Sequence, residues 1–118
     1  MGYHTEFCLF ARPVSNPEIA DKIAEALHAC DVIGYALSGD YQFAEDGVEF
    51  FSYDSVNWFN HEEDMRAISA QFPEVLFELY GDGDASDDDW VQYFLGGKAQ
   101  FCRILNGAIP LFDPMKLT

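Results

Sequence analysis

With 118 residues, and 21 Asp plus Glu against 6 Lys plus Arg, the chain carries a formal charge of -15; its length fits one acidic domain spanning residues 1–118. That charge argues against direct binding to nucleic acid, whose phosphates need a basic surface. An apolar content of 49%, with 11 Phe, 6 Tyr and 2 Trp, excludes intrinsic disorder, because disordered acidic chains lack such aromatics.

Residues 3–11 alternate loosely and are rich in aromatics, which predicts a first strand that Arg12-Pro13 ends. Ser15-Asn16-Pro17-Glu18 reads as a helix start: Ser15 and Glu18 have capping-box spacing, and Pro17 is tolerated in a first turn. Ile19, Ile23, Leu27 and Cys30 then recur at helical spacing, so a helix is expected over about residues 17–30. Apolar runs at 33–43 and 48–53 flank Glu45-Asp46-Gly47, and an Asp-Gly between two such runs signals a hairpin.

A second helix is expected to open at Asn60, the expected cap, with Glu62, Glu63 and Asp64 in its first turn, where the helix dipole favours negative charge. Met65, Ile68 and Phe72 form its apolar stripe, and Pro73 ends it. Val75 to Tyr80 reads as a strand. Trp90 to Leu95 and Lys98 to Leu105 read as a hairpin turning at Gly96-Gly97. The tail from Leu111 to Thr118 is expected to lie along the surface. The order β-α-β-β-α-β-β-β predicts an α+β domain, an antiparallel sheet with two helices on one face, ferredoxin-like with an extra C-terminal hairpin.

No run approaches the ~18 apolar residues that suggest a membrane span. Met1-Gly2-Tyr3-His4 has no basic region leading into an apolar stretch, so no secretory signal is expected. Cys8, Cys30 and Cys102 are widely spaced and include no CxxC pair, which predicts free thiols in a reducing cytosol.

The acids are unevenly spread. Asp82, Asp84, Asp87, Asp88 and Asp89 put five carboxylates into eight residues, and Glu62, Glu63 and Asp64 form a second run. Asp82-Gly83-Asp84-Ala85-Ser86-Asp87 begins like a calcium loop. The pattern then fails, with Asp87 where the turn needs Gly and Tyr93 where a bidentate Glu belongs. Glu78 and Asp89 flank the loop and could supply two carboxylates to Mg²⁺, yet no basic clamp accompanies them for a phosphate substrate. Neither Cys8 nor Cys102 has an evident base, and Gly81-Asp82-Gly83 is ringed by carboxylates that would repel phosphate. The expectation is therefore no catalytic residue, no metal and no cofactor. The remaining reading is surface recognition. Tyr80, Trp90, Tyr93 and Phe94 neighbour the acidic loop, and one or two of them left exposed, with Trp90 foremost, would anchor a partner beside the charge.

Asn57-Trp58-Phe59-Asn60-His61-Glu62-Glu63-Asp64-Met65, Phe72-Pro73-Glu74-Val75-Leu76-Phe77-Glu78-Leu79, Gly81-Asp82-Gly83, Asp89-Trp90, Tyr93-Phe94 and Gly97-Lys98-Ala99-Gln100 together form a pattern. Met1-Gly2-Tyr3-x-Thr5 and Phe112-Asp113-Pro114 add to it. The pattern resembles small acidic proteins encoded by bacteriophages and other mobile elements. The resemblance implies a bacterial cytoplasm and a phage-encoded accessory role, and it brings no enzymatic activity with it. By analogy it implies inhibition of host defence, of the anti-CRISPR or anti-restriction kind that mimics nucleic acid. The expected partner is a basic host protein or nucleoprotein complex, such as a CRISPR effector or a restriction enzyme. The partner-binding residues are expected to be Asp82, Asp84, Asp87, Asp88, Asp89, Glu62, Glu63, Asp64 and Trp90. Two alternatives stand beside this: a divalent-metal module or metal-dependent enzyme using the Asp-rich loop, and a phage scaffold or assembly protein.

Overall fold

The computed structural model describes residues 6–29, 37–52, 60–82, 89–105 and 108–118. Strand β1 (Glu6–Arg12) leads into helix α1 (Pro17–His28); β2 (Leu37–Phe43) and β3 (Val48–Ser52) follow, then α2 (His61–Gln71), β4 (Leu76–Asp82), β5 (Trp90–Leu95), β6 (Lys98–Arg103) and a 3-10 turn at Pro114–Lys116. The chain is thus an α+β protein with a six-stranded sheet in the order β2-β3-β1-β4-β5-β6. Every neighbouring pair is antiparallel.

The register explains the core. Leu9 pairs with Phe50 on one side and Leu79 on the other, and Ala11 pairs with Val48 and Phe77 in the same way. Opposite residues of an antiparallel sheet share a face, so one face is apolar across the central strands. It forms one buried cluster with Ala20, Ile23 and Leu27 of α1 and Met65 and Ile68 of α2. Both helices therefore cover the same face. No described helix is long and apolar enough to cross a membrane.

Several local details differ from expectation. The cap of α1 is Asn16 and not Ser15: the Glu18 N–H donates to its side-chain oxygen at 2.7 Å. Pro17 has no N–H and takes the first helical position, which places the capping acceptor one residue before it. Ala20 replaces Ile19 in the buried stripe, leaving Ile19 exposed, and the helix stops at His28. Asn60 makes no side-chain cap bond to α2. Strand β1 begins, among the described residues, at Glu6 and runs on to Arg12; β4 extends to Asp82, and β6 ends at Arg103. Leu105 instead forms an isolated bridge with Ala108.

The tail also has a structural task. On the face away from the helices, the Tyr93 hydroxyl donates to the Pro110 carbonyl at 2.6 Å, and the Asp113 N–H donates to Gln100 Oε1 at 2.8 Å. The Phe112 ring lies 5.5 Å from that of Tyr93. Two strand positions that would otherwise bury polar atoms unpaired are satisfied this way. Beneath the segment, Glu78, Tyr80 and Arg12 line a cleft of about 460 Å³.

Candidate functional site

At one end of the sheet, Phe7 pairs with Gly81, Gly81 with Trp90, and Trp90 with Arg103, while Glu6 pairs with Asp82. The missing side chain at Gly81 makes room for the Trp90 indole: a Cβ there would collide with its ring atoms. On this platform rests the first residue of α2. The His61 imidazole stacks on Trp90 at 5.0 Å between centroids and 23° between planes, and the Phe7 ring lies 5.8 Å from His61. Phe7 also meets Trp90 edge-on at 6.0 Å. The stack joins the opening turn of α2 to the start of β5.

This arrangement brings Asp82 and Asp89, the first and last acids of one run, to the same end of the sheet as the second run in α2. Asp82 closes β4, Asp89 immediately precedes Trp90, and Glu62, Glu63 and Asp64 follow His61. Asp84, Asp87 and Asp88, together with the side chain of Asp82, lie outside the described residues. Glu63 is exposed, and Asp64 and Asp89 are half-buried.

Glu62 does more than present charge. Its carboxylate accepts from Gln92 Nε2 at 3.0 Å and from Arg66 Nε at 3.1 Å. The Gln92 hydrogen bond, helped by Arg66, holds its pKa below the usual carboxylate value, against a smaller opposing effect of burial. Arg66 in turn donates to the Thr118 carbonyl at 2.7 Å. Glu62 therefore anchors α2 to β5 and keeps its charge at the sheet end. Trp90 is half-buried as the seat for His61, Tyr80 is half-buried, and Tyr93 and Phe94 are buried. None of these four rings is a free-standing exposed anchor. The part played by His61 has no signal in the residues around it, because the partner ring is 29 positions away in the chain.

Other chemistry finds little to build on here. Glu78 lies on the opposite face, 2.7 Å from Arg12 Nε, and accepts from the Tyr80 hydroxyl at 2.9 Å. It is held by a cation of the chain itself rather than offered to an ion beside Asp89. Among the described residues no cluster of three or more His, Cys, Asp or Glu side chains is placed to hold a metal. Burial, and then the charge of Glu49, push the Cys8 thiol pKa up and away from the reactive thiolate.

The site has a pH signature. Burial lowers the His61 pKa from its ordinary 6.5, against the opposing pull of Glu62 and Asp64. A lowered histidine pKa means the unfolded chain binds the proton more readily, so stability falls as pH drops below about 6.5. Glu62, with its depressed pKa, contributes stability that is present above its unfolded value of 4.5 and lost as pH falls through its folded value. Both act in one direction. Urea midpoints measured from pH 7.5 down to pH 4 are expected to decline, and His61→Gln is expected to flatten the limb just below pH 6.5. An unchanged limb in that variant would place the titrating group elsewhere.

No protein-family profile, curated protein or solved structure matches the chain.

Proposed function

We propose that the chain is a non-catalytic, phage-type inhibitor or binding module. Its acidic end engages the basic nucleic-acid-binding site of a host defence protein, a CRISPR effector or a restriction enzyme, in the bacterial cytoplasm. The observation that carries this reading is the position of Asp82 and Asp89 at the same end of the sheet as Glu62, Glu63 and Asp64, on a support built from Trp90, His61 and Phe7. Like charges repel, so gathering them on a rigid scaffold costs stability. A basic groove shaped for phosphates recovers that cost on binding, with a fast, salt-sensitive association. The strand order β2-β3-β1-β4, with β5 and β6 appended, supports a ferredoxin-like description of the scaffold.

The test is competition against a DNA duplex for a purified CRISPR effector–guide complex or restriction enzyme. Replacing Asp82, Asp84, Asp87, Asp88 and Asp89 with Asn is expected to weaken binding by about tenfold or more at low salt. Glu18→Gln with Glu25→Gln, on the exposed side of α1, is expected to leave binding unchanged. Equal affinity of the Asn variant and the parent, with no salt dependence in either, would remove the mimicry reading. Calorimetry with Ca²⁺, Mg²⁺ and Mn²⁺ separates the reading from a metal module, which would bind one of these ions stoichiometrically through the same aspartates.

A further inference from the structure

On the face of the sheet away from the helices, Glu78, Tyr80 and Tyr93 form the floor of the cleft of about 460 Å³, a volume in the range of small-molecule sites. Glu78 pairs with Tyr93 across β4 and β5, and Tyr80 lies two positions further along β4. The walls are apolar, with Leu76 on β4 and Ile109, Leu111 and Phe112 on the tail. Ile109 is 50% exposed and Leu111 85%, so the rim holds apolar surface against water.

The floor offers hydrogen-bond acceptors. The Tyr80 hydroxyl donates to Glu78 Oε1 at 2.9 Å, and the Tyr93 hydroxyl donates to the Pro110 carbonyl at 2.6 Å. Each hydroxyl has committed its one hydrogen and keeps its lone pairs, and an ionised carboxylate only accepts. The cation at the cleft, Arg12, is answered by two carboxylates: Nε lies 2.7 Å from Glu78 and Nη1 lies 3.4 Å from Asp46. Both phenols have pKa values raised above 10, by burial first; Glu78 raises both as well, and the opposing pull of Arg12 is smaller than that of Glu78. At both hydroxyls, then, the Arg12–Glu78 pair acts as a net negative charge.

We propose that this cleft is a binding site for a small arylalkylammonium, a protonated primary amine carried on an aromatic body. An ammonium brings three donors and no acceptor, which suits the lone pairs of Tyr80, Tyr93 and Glu78. The faces of the phenols and of Phe112 add cation–π attraction. The ring of the ligand covers Ile109 and Leu111 and removes their apolar surface from water. A carboxylate or phosphate ligand would meet the negative floor, and a neutral ring would leave most of its acceptors without a new donor. The site uses none of the residues assigned to the acidic end, so it stands apart from the function proposed above.

The test is titration at pH 7, followed by amide NMR, with phenethylammonium, phenethyl alcohol and hydrocinnamate, which share a skeleton and differ in charge. Phenethylammonium is expected to shift the amides of Glu78, Tyr80, Tyr93 and residues 109–112 saturably, and to bind about tenfold or more tighter than the alcohol. Hydrocinnamate is expected not to saturate. Nα-acetyl-lysine amide, an ammonium without a ring, is expected to bind about tenfold more weakly, which separates a free arylalkylamine from the lysine of a partner protein. Tyr80→Phe keeps the ring and deletes an acceptor; it is expected to weaken phenethylammonium by about fivefold. Leu111→Ser, at an exposed position, is expected to weaken it severalfold with the thermal midpoint unchanged, and it carries the test if Tyr80→Phe does not fold. Replacing Asp82, Asp84, Asp87, Asp88 and Asp89 with Asn is expected to leave the amine bound as in the parent. Loss of binding in that variant would put the amine at the acidic end and overturn the inference. So would equal affinity for the three charge forms, tighter binding of the lysine amide, or indifference to both Tyr80→Phe and Leu111→Ser.

Discussion

Gly81→Ala is expected to lower stability by about 2–3 kcal/mol, the cost of forcing a group into a packed interior. Gly81 is buried, and a Cβ at this position would overlap the Trp90 indole. The ring must then leave its place between β4 and the start of α2. His61 loses its 5.0 Å stacking partner and Phe7 its edge contact. The thermal midpoint is expected to fall by roughly 10 °C for a domain of this size. Trp90→Ala supplies the control. If the alanine acts by displacing the indole, it costs much less in the Trp90→Ala background, and the two changes are far from additive. Full additivity would show that Gly81 matters for some other reason. The same variant bears on function, since the stack is what holds the opening turn of α2 beside Asp89. For the proposed acidic-surface function, Gly81→Ala is therefore expected also to weaken partner binding.

Arg12→Ala is expected to cost about 2–3 kcal/mol. The Glu78 side chain is 8% exposed and lies 2.7 Å from Arg12 Nε, a contact of charge with charge. Removing the arginine leaves a largely buried carboxylate whose one hydrogen-bond donor among the described residues is the Tyr80 hydroxyl. Breaking a fully buried pair costs about 3–5 kcal/mol; Arg12 is 40% exposed, so water screens part of the loss. Its guanidinium also lies 4.5 Å from the Phe10 ring centroid and 3.4 Å from Asp46. Glu78→Gln placed on top of Arg12→Ala is expected to recover most of the deficit, because a neutral amide needs no counter-ion. Urea unfolding with an unchanged slope measures both steps. A deficit that persists in the double variant would trace the effect to lost packing of the arginine stem.

The pairing of Gln92 with Glu62 shows why acidity alone is a poor guide to a site. Gln92 is buried, and its amide N–H reaches Glu62 across 30 positions of chain. Its Oε1 has no hydrogen-bond partner among the described residues. A run of Glu-Glu-Asp reads as surface, yet its first member is half structural. Glu62 and Glu63 are exposed and Asp64 is half-buried.

Element types and their order were legible in the chain because local chemistry sets them. Asp46-Gly47 turns the β2–β3 hairpin, and Gly96 and Gly97, with φ of 59° and 86°, turn the next one where other residues would be strained. Pro73 denies α2 a further turn, and Asn16 with Pro17 opens α1. The acidic runs were equally plain, being counts of neighbouring residues. Tertiary structure alone decided that β1 lies between β3 and β4, because strand pairing joins residues far apart, and alternating apolar patterns fit many partners. It alone decided that His61 rests on Trp90, that Arg12 answers Glu78, and that Asp82 and Asp89 stand at the same end of the sheet as the acids of α2. Each of these contacts is chosen by burial and close packing between distant segments, which no spacing along the chain encodes.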